Sequence, residues 1–234
     1  MKDQTETQAG TILKKLESMR NPANVNGMAR FGIIFRKVMG INKPLLDKIA
    51  RQTGKDHKLA RMLWNSEIYE AMVLAALIDD PKSVTENQME KWAMDFDNWG
   101  VCDNACMNLF DKTPFAYRKA FEWSYRKEEF VKRAGFVLMA SLAIHDKAAK
   151  DSVFLKFLPA IRREAVDERN FVKKAVNWAL RNIGKRNAAL NKAAIKAAEE
   201  ILRMDSKAAR WIANDALREL THERIRKRLK HKPG

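Results

Sequence analysis

The pentapeptide Phe130-Val131-Lys132-Arg133-Ala134 returns 41 residues later as Phe171-Val172-Lys173-Lys174-Ala175, and Ala179-Leu180-Arg181 returns 37 residues later as Ala216-Leu217-Arg218. A chain that repeats itself at about forty residues builds its core by stacking one supersecondary unit on the next. The unit here is helical. Glycine (9) and proline (6) are scarce among 234 residues, and no segment alternates apolar and polar residues long enough for a strand. About a dozen helices and no sheet are expected, in an all-α fold of HEAT-like antiparallel helix pairs. Stacked, these pairs would form a curved right-handed solenoid with a concave basic groove. The expected organisation is one repeat domain over 1–234, with an N-terminal helix at 1–20 and a basic tail at 221–234.

Local signals place the elements. Ile12, Leu13 and Leu16 give the first helix an apolar stripe, and Asn21-Pro22 breaks it. A second helix is expected through Met28, Phe31, Ile34, Phe35 and Val38, ended by Gly40. Pro44 suits the first turn of the next. Further helices are expected at 45–52, 57–64, 68–78, 85–95, 114–123, 128–144, 152–164, 170–184, 187–203 and 206–220.

Charge narrows the partner. Forty-five Lys and Arg against 29 Asp and Glu leave a net +16, which calls for an anionic ligand. Nucleic acid is the commonest, because Lys and Arg release its condensed counterions. A membrane fits worse, since the longest apolar run, 134–144, is far short of a span. Residues 1–10 are polar and lack a signal-peptide hydrophobic region. Cys102 and Cys106, four apart on one helix, read as buried thiols, and a reducing cytoplasmic setting is expected.

The segment 97–110 groups the most informative side chains. Trp99 and Asp103 are four residues apart and project to the same side of a helix. With Asp97 or Asn98 as N-cap, Asp103 would sit near the positive end of the helix dipole. The alternative is a capping Asp beside a core Trp. In the helix at 171–185, Phe171, Val172, Ala175, Val176, Ala179 and Ile183 form the inner stripe, while Lys174, Trp178, Arg181 and Lys185 follow on the other face. A Trp among cations suits a nucleotide, unless it packs on a neighbouring repeat. Lys132 and Arg133 hold the equivalent place one repeat earlier, where Arg133 needs either an internal acid or a phosphate. There is no Walker loop, no GxGxxG and no zinc-type Cys/His spacing. The four histidines are scattered, and helical phase turns Asp103 away from the two cysteines.

Taken together, Gly27-Met28-Ala29-Arg30-Phe31, Asn98-Trp99 with Asp103, Lys132-Arg133-Ala134, and Lys174-Ala175 with Trp178 and Leu180-Arg181 resemble the DNA alkylation repair enzymes of the AlkD type. These are alkylpurine DNA glycosylases built from HEAT-like repeats, and the similarity runs from about Asn21 to Leu220. The resemblance implies hydrolysis of the N-glycosidic bond of cationic N3- or N7-alkylated purines in duplex DNA. Asp103 would be the catalytic carboxylate, Trp99 and Trp178 the aromatic walls beside the lesion, and Arg133 the phosphate anchor. Phe31, Lys132, Lys173, Lys174, Arg181, Lys185, Arg210 and Arg218 are the expected DNA contacts. Phe31 stands where the family often has Tyr, and Gly100 where it often has Asp. No cofactor, metal or membrane is expected, and the protein would act as a monomer in the cytoplasm, associated with the nucleoid. The rival reading is a non-catalytic HEAT-like module that binds DNA or serves as a protein scaffold.

Overall fold

A computed structural model describes residues 4–30, 32–33 and 37–230, the last by its backbone alone. All regular structure among them is helical. The single domain expected over 1–234 packs as two compact units, Met1–Thr113 and Pro114–Gly234.

The first unit holds α1 (Gln4–Ser18), α2 (Pro22–Arg30), α3 (Lys43–Thr53), α4 (His57–Trp64), α5 (Tyr69–Ile78), α6 (Glu86–Met94) and α7 (Trp99–Asn108), then a 3₁₀ turn at Phe110–Lys112. Asn42, Asp56, Thr85 and Asn98 start α3, α4, α6 and α7, each accepting a backbone N–H from three residues on. That bond satisfies one of the donors a helix leaves open at its start. α5 is buried nearly all round and packs against α3, α4 and α7. Beside it the Trp64 and Trp92 rings stack at 3.8 Å, and the Trp64 indole donates to Asp95 at 2.7 Å.

The second unit holds α8 (Ala116–Ser124), α9 (Glu129–His145), α10 (Asp151–Leu155), α11 (Leu158–Glu164), α12 (Asn170–Gly184), α13 (Ala188–Leu202), α14 (Lys207–Leu220) and α15 (Glu223–Lys230). α9 packs on α12, and α12 on α14, which is the spatial form of the 41- and 37-residue periods. α8 and α13 are their antiparallel partners. Gly135 lets α8 and α9 meet closely, since a Cβ there would come within 2.7 Å of the Ser124 nitrogen.

Two expectations are corrected. The helix expected at 152–164 is two helices, α10 and α11. Pro159 lacks the N–H that would bond to Leu155, and its ring would clash with that carbonyl. The second helix stops at Arg30 instead of running to Gly40: Val38 lies in a non-helical strap, while Phe31, Ile34 and Phe35 fall outside the described residues. Most of the basic tail is α15, which packs on α13 and α14 with Leu229 buried. Fifteen α-helices are thus seen among the described residues. None of these is long and apolar enough to cross a membrane.

Candidate functional site

In the first unit the site grows from the start of α7. Asn98 is fully buried, caps the helix and accepts from the Val101 N–H at 3.0 Å. Capping is therefore the work of Asn98. Asp103 lies five residues in, on the second turn, where the pull of the helix dipole has faded, so the dipole advantage expected for it is small. Trp99 and Asp103 are both half-buried and four residues apart on α7, the juxtaposition their spacing predicts.

Gly100 has a specific neighbour. Any Cβ there would collide with the Tyr69 hydroxyl, and the ring carbons Cε2 and Cζ would be only 3.1 Å away. The missing side chain lets the Tyr69 phenol rest on the first turn of α7. Burial, then the charges of Glu70 and Asp103, push this phenol up to about 12, so it remains a neutral donor at physiological pH. Sequence reading passed Tyr69 over as one residue of an apolar helix. The substitution at Gly100, the visible departure, was the signal that a bulky group needed the space.

Trp99, Gly100, Asn104 and Tyr69 wall a cleft of about 590 Å³ with residues of α2 and the strap before α3. Glu70 builds that strap. Its fully buried carboxylate accepts the backbone N–H groups of Met39 (3.0 Å), Gly40 (2.7 Å) and Ile41 (3.2 Å). Gly40 adopts a φ of +78°, which favours glycine, and its carbonyl accepts from Asn24 at 2.9 Å. Phe31, expected to contact DNA, lies outside the described residues.

The second unit carries the other predicted residues. Arg133 is only 6% exposed on α9, and its Nη1 donates to the Phe171 carbonyl of α12 at 2.7 Å. The partner this bond supplies is a neutral backbone oxygen, which neither of the two sequence readings foresaw. Trp178 is half-buried on α12. Many of the expected DNA-binding cations hold internal carboxylates. Lys132 pairs with Glu164 and Asp167, and Arg218 with Asp215. Arg181 and Lys185 meet Glu219 at 2.7 and 2.9 Å, and Arg210 meets Asp205 at 3.3 Å. Burial pushes the Glu219 carboxyl up, but Lys185 and Arg181 outweigh it and hold it below the usual range. Lys174 is exposed, with no ion-pair partner among the described residues, and the Lys173 ammonium stands 5.3 Å from the Trp211 ring centre.

Cys102 and Cys106 are fully buried thiols that form no disulfide; burial, then the neighbouring Cys102, pushes Cys106 well above the ordinary thiol range. No group of three or more His, Cys, Asp or Glu among the described residues is arranged to hold a metal ion.

The chain is similar to a solved protein described as one of a new family related to the HEAT-like repeat DNA glycosylases with affinity for branched DNA structures. The two share 21% identity over 90% of this chain and 95% of that one, with a TM-score of 0.75. The shared fold is therefore the HEAT-like repeat array. An engineered protein is matched at 18% identity over 94% of each chain, with a TM-score of 0.41. Among curated proteins, none matches. The family model described as DNA alkylation repair enzyme matches residues 12–220. With nine-tenths of its length inside that match, the chain belongs to the DNA alkylation repair enzyme family.

Proposed function

We propose that the protein is a DNA glycosylase that releases cationic N3- and N7-alkylated purines from duplex DNA. The observation that carries this reading is Asp103 itself. It is a half-buried carboxylate relieved of capping by Asn98 and held one helical turn from a half-buried indole. Alkylation at N3 or N7 makes the purine a cationic leaving group. Cleavage of its N-glycosidic bond builds positive charge on the deoxyribose, which a nearby carboxylate stabilises while orienting the attacking water. Ordinary glycoside hydrolysis needs a second carboxyl group to protonate the leaving group. A base that is already cationic does not, and one Asp suffices. Trp99 would exclude water beside the sugar, and Trp178 in the second unit would contact the DNA. Tyr69, neutral and within electrostatic reach of Asp103, would help to position the carboxylate.

A second reading is favoured by a specific observation. The solved relative is described as having affinity for branched DNA structures. In that reading the protein binds DNA without cleaving it. Incubation with methylated duplex DNA separates the two. The glycosylase reading expects free 3-methyladenine and 7-methylguanine, with hypoxanthine and uracil left in place for want of a strong acid. No released base at all would leave the binding reading standing.

A further inference from the structure

The six tryptophans sort themselves by environment. Trp64, Trp92 and Trp123 are at most 4% exposed and belong to the core, Trp99 and Trp178 are half-buried, and Trp211 on α14 is 42% exposed. The buried stripe of α14 is Ala208, Ala209, Ile212, Ala213, Ala216 and Leu220, so Trp211 lies outside it and the fold does not use its indole as core. Leaving so large an apolar ring in water forgoes a substantial burial gain. A ligand that covers it would recover that gain.

The register of the repeats says where this ring stands. The same offsets of 41 and 37 residues carry Arg133 on α9 to Lys174 on α12 and to Trp211 on α14, and carry Lys132 to Lys173 and Arg210. Because α9 packs on α12 and α12 on α14, Trp211 ends a row of side chains of which Lys174 is the exposed cation. Lys173 holds its ammonium 5.3 Å from the ring centre, and Lys207, one turn before Trp211, is exposed. An aromatic platform with cations around it is the arrangement that single-stranded nucleic acid uses, one base on the ring and its phosphates on the ammonium groups. Bases inside an intact duplex are stacked on each other and present no face to a ring on the protein surface.

We propose that Trp211, with Lys173, Lys174 and Lys207 beside it, is a binding site for an unstacked base of DNA, taking single-stranded segments next to the duplex. This rests on the DNA-binding part of the function proposed above, and not on its chemistry. It also adds a residue that no reading of the sequence had placed at a nucleic-acid interface.

The test measures binding of the full-length protein, by fluorescence anisotropy at one fixed salt concentration, to a blunt duplex and to the same duplex carrying a single-stranded thymidine tail. The parent should bind the tailed duplex about 5- to 150-fold more tightly, the range expected for one stacked base. Trp211→Ala should abolish that preference, while Trp211→Phe should retain most of it. Thermal melting confirms that both variants are folded. Three results would overturn the proposal: a parent with no preference for the tail, a Trp211→Ala variant that keeps it, or one that weakens both DNAs equally. Base release plays no part in this readout, so a protein that prefers tailed DNA but excises nothing would refute the glycosylase reading and leave the Trp211 site intact.

Discussion

Asp103 illustrates what spacing reveals and what it hides. Its place one turn from Trp99 follows from the sequence alone, because helical geometry brings residues four apart to one side. The cap follows as well, since Asn98 is one of the two N-caps the sequence offers, but with that cap Asp103 falls on the second turn, where the dipole's pull has faded. Tyr69 was invisible for a different reason: its importance comes from packing across two helices, which no local pattern encodes. The phenol lies on Gly100 and feels Asp103, and it should titrate near 12 in the folded protein. The unfolded phenol ionises near its ordinary 10.0, so this residue's contribution to stability is complete below that pH and is lost as pH rises toward 12. Ultraviolet titration of the parent against Tyr69→Phe isolates the signal. In Asp103→Asn the same phenol should ionise at lower pH, and an unchanged titration would mean that the two groups do not interact.

At the level of elements, capping and apolar periodicity foretold most helices of both units, down to the Asn170–Gly184 bounds of α12. The misses have specific physical causes, one local and one long-range. Pro159 sits inside an otherwise periodic helical pattern and splits it, a signal present in the sequence but outweighed by the apolar stripe. The strap before α3 was read as helix because Val38 continues the apolar spacing. What fixes it instead is a long-range partner, Glu70, whose carboxylate collects three backbone N–H groups. Such a carboxylate is worth more than its neutral amide, since bonds to an ionised acceptor are about twice as strong and unpaired buried donors are costly. Glu70→Gln should destabilise the protein by about 1–3 kcal/mol, and Glu70→Ala by more, measured by urea unfolding. If both variants match the parent, the strap is held by something else.

At the scale of the whole molecule, the family and the HEAT-like fold agree with a net charge of +16, but charge alone overstates the interface. Sequence reading counted Lys132, Arg181 and Lys185 as phosphate contacts because it could not see Glu164 and Glu219 reaching them from helices more than thirty residues away. Lys174 carries the same expectation without a competing acid among the described residues. Lys174→Glu should therefore weaken binding to all duplexes alike and flatten the dependence of affinity on salt, as loss of a phosphate contact does. An unchanged salt slope would remove Lys174 from the interface.

The catalytic role of Asp103 is the central claim, and one comparison tests it most directly: base release from methylated duplex DNA by the parent and by Asp103→Asn, with duplex affinity measured alongside. The substitution preserves shape and removes charge, so it spares the packing around α7 while deleting the electrostatic stabiliser. Release should fall by about 10²- to 10³-fold, the loss typical when one such group is removed, and duplex affinity should hold or rise slightly. A folded Asp103→Asn protein that binds DNA and excises at the parent's rate would contradict the assignment.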